Sequence, residues 1–136
     1  MRDSFDLRVV TPQRALLEEQ VREVTAPGTV GEFGVLPDHI TFLTSLEVGT
    51  MSYRTDRGTH RLAIRGGFAE VADNVMTVLA DDAVFAEDID ASAARTELSA
   101  AEAQLRDLSP LEESFPALDG QRRWAQARIE AASAAR

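Results

Sequence analysis

The sequence predicts an α+β protein: an N-terminal antiparallel β-sandwich over residues 1–88, followed by a C-terminal two-helix hairpin over residues 89–136. Three observations predict it. Phe5, Leu7 and Val9 alternate with Asp6 and Arg8, the period of two that marks a half-buried strand. Further short apolar runs follow, separated by glycine, proline, asparagine and aspartate, the spacing of sandwiches and barrels. The composition then changes near Glu87-Asp88-Ile89-Asp90. The 46 residues from Ala91 onward hold 13 alanines and one glycine, and alanine is the best helix former.

Taken in order, the first strand ends at Thr11-Pro12. Val21 to Ala26 reads as a second strand, stopped by Pro27-Gly28 at the centre of a type II turn. Ile40 to Leu46 is a short apolar run. Val48 to Arg54 faces Arg61 to Arg65 across a loop of several residues, Thr55 to Thr59. Gly66-Gly67 permits a bend or a close backbone approach. Phe68 to Val71 and Val75 to Leu79 flank Ala72-Asp73-Asn74, a second hairpin signal. Asp90 is placed to cap a helix whose Ala94, Leu98, Ala101, Leu105 and Leu108 share one face. Ser109-Pro110 ends that helix. Asp119 is placed to cap a second one, with Leu118, Ala125, Ile129 and Ala132 on a face and Trp124 beside it.

Burying the large apolar residues of the hairpin yields about 1.5–3 kcal/mol each. Ordering backbone costs about 1–2 kcal/mol per residue, and a high alanine content recovers much of that locally. Docking of the hairpin on the β domain is therefore optional, and the sequence permits a movable element.

Pro27 to Thr44 (PGTVGEFGVLPDHITFLT) carries glycines at 28, 31 and 34 between Pro27 and Pro37. So dense a set is incompatible with a helix or a central strand. Val30, Phe33, Val35 and Leu36 give it apolar content that a floppy linker would not need. The segment is expected to be an ordered, partly buried loop presenting Glu32 and His39.

Charge and composition exclude several functions. The net charge of −9 argues against nucleic acid and against direct anchoring to anionic lipid. The charge is uneven: residues 1–90 carry −8, residues 91–136 carry −1, and residues 119–136 carry +2. All 14 basic residues are arginine, which removes lysine chemistry, and the absence of cysteine removes disulfides and thiolates. No run is long and apolar enough to span a membrane, and MRDSFDLRVV is unlike a signal peptide, so the expected location is the cytoplasm or the cytoplasmic side of a membrane.

No catalytic set is evident. The glycine loop lacks the Gly-Lys-Ser/Thr of a phosphate loop. His39 and His60 stand alone, without metal-ligand spacing. His39 is either a contact residue or a satisfied loop histidine; His60 reads as solvated. Asp81-Asp82 and Glu87-Asp88 read as an acidic edge. Arg122, Arg123 and Arg128 are either a solvated face or a patch for an acidic partner. On residues alone this is a binding or structural protein with no cofactor and no metal.

Leu7–Met51, with GEFGVLPDH at its heart, Gly66–Ala83 (GGFAEVADNVMTVLADDA) and the EDID junction resemble the epsilon subunit of the bacterial F-type ATP synthase, equivalent to the mitochondrial delta subunit. The resemblance covers nearly the whole chain and implies the same sandwich-plus-hairpin fold. It implies a non-catalytic element of the central stalk, bound to the gamma subunit and to the c-subunit ring, on the cytoplasmic face of a bacterial plasma membrane. By that resemblance, Val30, Gly31 and Glu32 meet the c ring and His39 lies against gamma. The hairpin can inhibit ATP hydrolysis, with Arg122, Arg123 and Arg128 facing the catalytic beta subunit, next to alpha. Some members bind ATP through an I/L-D-x-x-R-A motif. Here the stretch is Ile89-Asp90-Ala91-Ser92-Ala93-Ala94, with alanine at the arginine position and Arg95 on another helix face. Asp90 and Arg95 are thus the candidates for a weak or absent ATP site.

Overall fold

The structure, a computed structural model, describes residues 2–134. Eight strands come first: β1 Phe5–Val10, β2 Ala15–Val21, β3 Glu23–Gly28, β4 Gly31–Val35, β5 Phe42–Thr55, β6 Gly58–Ala72, β7 Val75–Ala80 and β8 Ala83–Phe85. A single 3-10 turn, Ala86–Asp88, leads to helices α1 Ala91–Leu105 and α2 Phe115–Ala134. The strands run in the order β2-β1-β7-β6-β5-β3-β4, with β8 also on β6. All pairs are antiparallel except β1 with β7. The sheet doubles over on itself, so Phe5, Leu7 and Val9 of β1 share one core with Val24 of β3, Val35 of β4, and Met51, Leu62, Ile64, Met76 and Val78. The expected sandwich followed by a helical hairpin is what the chain forms.

The fold turns on β5 and β6, which run through both layers. The first half of β6 pairs with β8 and the second with β7. Along β6 the buried core positions are Leu62 and Ile64 before the double glycine, then Ala69 and Val71 after it, so the inward face changes parity there. Gly66 and Gly67 both have positive φ, 69° and 117°. A Cβ on Gly67 would lie 2.0 Å from the Leu79 carbonyl oxygen. Bend and close approach both occur at this corner, and no other residue fits it.

Several sequence expectations need correction. Pro27-Gly28 is not a turn: both residues lie in β3, where Pro27 pairs with Glu32 and Gly28 with Gly31. The turn is Thr29-Val30, and the expected loop is for the most part a β-hairpin with β4 on the sheet edge. Proline is tolerated because the β3–β5 register is irregular between Thr25 and Gly28, where its missing N–H leaves no gap in a ladder. Ala15 to Gln20 form most of an unexpected strand, β2, and Arg22 is a bend separating β2 from β3. The β5–β6 loop is only Asp56-Arg57, closed by Gly58 at φ 118°. Asp119 caps nothing. Helix α2 begins four residues earlier at Phe115, with Pro116 in the first turn, where a missing N–H costs no bond. Leu108 lies beyond the end of α1.

Other expectations hold. Asp73 and Asn74 have φ of 51° and 62°, the double positive φ of a tight two-residue hairpin turn. Asp90 caps α1, its Oδ1 accepting from the Ala93 N–H at 3.0 Å. Helix α2 lays Trp124, Ala127 and Ala131 against Ala63 of β6, with Val48, Val84 and Ile89 at the margin. Helix α1 packs along α2, burying Ala94 and Ala101.

Candidate functional site

Three surfaces carry the residues singled out by the sequence. The first is the β3–β4 tip. Thr29 and Val30 form its turn, and Val30 is 97% exposed. Gly31 follows at φ 125°, and Glu32 is exposed on the edge strand. The tip is held from beneath by Phe33, whose ring meets Phe42 edge-to-face at 5.2 Å. A projecting apolar side chain on a braced hairpin is suited to contact, since a fixed backbone keeps an exposed residue in place.

The second surface is the loop after β4. His39 lies in it, half-buried, with its Nδ1 2.8 Å from the Ile40 carbonyl oxygen and its ring 5.9 Å from that of Phe42. Phe42 therefore connects His39 to Phe33 and the tip. The loop is pinned from outside by Asn74. The Asp38 N–H donates to Asn74 Oδ1 at 2.8 Å, and Asn74 Nδ2 donates to the Ser4 carbonyl at 2.9 Å. The structure thus brings Val30, Gly31, Glu32 and His39 onto one continuous piece of chain, braced at both ends.

Beside it is a feature the sequence reading missed. Phe68 and Leu79 are cross-strand partners on the outer face of β6 and β7, and Leu43 of β5 lies diagonally across. They are 55%, 54% and 70% exposed and line a shallow groove of about 160 Å³ with Glu70 and Thr77. Three large apolar side chains grouped on a sheet face mark an interaction surface. The signal was available in the strand pattern, where apolar Leu43, Phe68 and Leu79 occupy the positions out of phase with the core.

The third surface is the hairpin, where all three arginines are occupied. Arg122 donates from Nη2 to Asp119 at 2.8 Å within α2. Arg123 reaches Glu47 of β5 at 2.5 Å. Arg128 pairs with Glu97 of α1 and lies 5.4 Å from the Trp124 ring centroid. In this arrangement each guanidinium is held in an ion pair within the molecule. Asp90 and Arg95, the nucleotide candidates, are both exposed, and the Asp90 carboxylate is engaged as the helix cap. Arg136, counted in the basic tail, lies outside the described residues.

None of the groups singled out among the described residues assembles into a catalytic centre. Among the described residues, no group of three His, Asp or Glu side chains is arranged to hold a metal ion. Asp82 closes the turn into β8, accepting from the Ala83 and Arg65 N–H groups. His60 stacks on Tyr53 at 5.1 Å rather than standing in solvent. Burial, reinforced by Glu19 and Glu87, pushes the Tyr53 hydroxyl up to about 12, so it stays neutral. No described helix is long and apolar enough to cross a membrane.

Residues 4–86 match the family described as ATP synthase, Delta/Epsilon chain, beta-sandwich domain. The chain belongs to the ATP synthase epsilon family. It is 49% identical over 108 residues to the ATP synthase epsilon chain of Nitratidesulfovibrio vulgaris strain DP4, covering 79% of this chain and 81% of that one. It is 38% identical over 135 residues to the epsilon chain of Citrifermentans bemidjiense, covering 99% and 98%. Among solved structures, a chain of the Euglena gracilis mitochondrial ATP synthase (OSCP/F1/c-ring, rotational state 1) superposes with a TM-score of 0.76 at 25% identity, covering 99% of this chain and 82% of that one. A chain from the Tetrahymena thermophila central stalk and c-ring, at 16% identity and TM-score 0.66, shares the fold. Epsilon chains are non-catalytic subunits of the ATP synthase complex, and this chain is one of them.

Proposed function

We propose that the chain is a coupling element of the central stalk, sitting peripherally on the cytoplasmic side of a bacterial membrane. In this reading residues 1–88 are the coupling domain and residues 89–136 a separable regulatory domain. The Leu43, Phe68 and Leu79 face and the neighbouring His39 loop bind the gamma subunit. The Val30-Gly31-Glu32 tip bears on the polar loops of the c ring. Ion flow through that ring is then passed to the catalytic head through a body that does not deform. The hairpin, when off the sandwich, offers Arg122, Arg123 and Arg128 to acidic segments of the catalytic subunits and brakes ATP hydrolysis. No nucleotide is needed at Asp90 and Arg95.

The observation that carries the reading is the juxtaposition of an exposed apolar sheet face with a braced, projecting hairpin tip on the half of the molecule that the helices leave uncovered. Solvent exposure of that much apolar surface is unfavourable in isolation, at about 25 cal/mol per Å², and covering it favours a partner. The test is co-purification of the whole chain with gamma and c-ring components. The unaltered chain is expected to co-purify stoichiometrically with gamma. Replacing Leu43, Phe68 and Leu79 with serine is expected to lower affinity at least tenfold while leaving circular dichroism unchanged. Retained gamma binding by that variant contradicts the assignment of this face.

A further inference from the structure

We infer that Glu47 is the residue that holds the helical hairpin on the sandwich, and that it does so by occupying Arg123, one of the residues the hairpin needs elsewhere. The inference rests on the braking role proposed above and adds its control.

The geometry begins with where Glu47 stands. It lies on β5 between Leu46, which points into the sandwich core, and Val48, which packs under α2. That is the corner at which the inward face of the long strands changes, opposite Gly66 of β6. Glu47 can therefore turn outward toward α2, where its Oε2 takes the Arg123 Nη2 at 2.5 Å. Of the three candidate braking arginines, Arg123 is the one whose ion pair crosses from helix to sandwich. Arg122 is bound within its own helix and Arg128 to the neighbouring one. The latter two pairs can travel with the hairpin; Arg123–Glu47 has to break.

The rest of the contact is small. Its buried residues are Ala63 on the sandwich side and Trp124, Ala127 and Ala131 on α2. Alanine side chains bury little apolar area, so Trp124 is the one large buried anchor, with Val48, Val84 and Ile89 only partly buried around it, and the ion pair adds to a modest contact. Both partners of that pair are partly exposed, which leaves the pair open to screening by salt. One guanidinium cannot hold Glu47 and an outside carboxylate in the same geometry. Docking and braking are therefore competing uses of Arg123.

The consequence is a difference in sign that a simple loss of charge does not reveal. Arg123→Ala removes both the latch and the braking contact. Glu47→Gln removes the latch alone and leaves Arg123 free for the partner.

Trp124 is the chain's only tryptophan, and it sits 8% exposed in the contact, so its fluorescence reports docking in the unmodified full chain. At low salt, Glu47→Gln is expected to lower the ratio of docked to free hairpin by a factor of about 2–5, the range for a partly exposed ion pair. This is read as red-shifted Trp124 emission and faster quenching by acrylamide. Added sodium chloride is expected to bring the native chain toward the variant while leaving the variant nearly unchanged. The double exchange Glu47→Arg with Arg123→Glu is expected to restore docking. Emission and quenching identical in the native chain and Glu47→Gln at low salt overturn the latch. In the assembled enzyme, Glu47→Gln is expected to lower ATP hydrolysis and Arg123→Ala to raise it; both moving hydrolysis the same way overturns the competition. Shifted fluorescence with hydrolysis unchanged in both variants supports the latch and removes the braking role, so the two ideas fail separately.

Discussion

The sandwich and the hairpin are stabilised by residues of different size, and that contrast sets what each can do. The sandwich core is made of large side chains with essentially no exposure: Phe5, Leu7, Met51, Leu62, Ile64 and Met76. The helices bury Ala94, Ala101, Ala125, Ala127 and Ala131, with Trp124 as the one large exception. Full burial of a large apolar side chain is worth about 1.5–3 kcal/mol, whereas a methyl group contributes a fraction of that. Leucine- and valine-sized packing makes a body that does not come apart in parts. Alanine packing makes helices that keep their own backbone bonds while their attachment is weak. This contrast is what the proposed reading, a rigid half and a detachable half, draws on.

The largest effect expected to sharpen this contrast comes from the core. Leu62→Ala leaves a cavity between the layers and is expected to cost about 2–5 kcal/mol in chemical denaturation. Ala131→Gly, at an equally buried position in α2, is expected to leave the sandwich transition in place. Equal losses in the two variants would erase the proposed distinction. A smaller effect is expected at high pH. The Tyr53 hydroxyl is held neutral by burial and its folded value is about 12, against an ordinary 10. Because the folded value is the higher, its contribution is complete below pH 10 and is lost as pH rises from 10 toward 12. Unfolding followed across that window is expected to show a stability loss that Tyr53→Phe lacks. The smallest effect is expected from removing everything after Asp88. No described helix residue belongs to the main core, so the shortened chain is expected to keep its β-sheet circular dichroism, within about 1 kcal/mol of the parent, and to bind gamma. An unfolded product would show the hairpin to be part of the rigid half.

What the sequence disclosed follows the same line between local and distant causes. Asp73-Asn74, the Asp90 cap and the Gly66-Gly67 corner were legible because turn and cap chemistry is decided within a few residues. Strand β2 was not. Ala15-Leu16-Leu17-Glu18-Glu19-Gln20 is made of helix formers, and it is a strand because β1 offers it a ladder running regularly from Phe5–Val21 to Val9–Leu17. Asp119 resembled a cap because aspartate suits that position, but Pro116 starts the helix earlier. At the site, the glycine and proline spacing did mark an ordered segment that exposes Glu32, whereas Val30, counted with its apolar packing, is exposed and His39 is half-buried. The partners of the arginines were out of reach. Glu47 is 76 residues from Arg123, and no local pattern announces a pairing made by folding. The apolar face of Leu43, Phe68 and Leu79 was overlooked because each residue fits a strand whichever way it points.

The way the tip is rooted has a mechanical consequence. Strand β3 is bonded along β5 at Glu23–Arg54, Val24–Tyr53 and Thr25–Ser52 and again at Gly28–Leu46, and β5 is zipped to β6 from Phe42 to Thr55. A tug on Val30 along the strand direction loads these bonds side by side, in shear, and none can yield alone as in peeling from one end. The protruding finger is therefore stiffest along its own length.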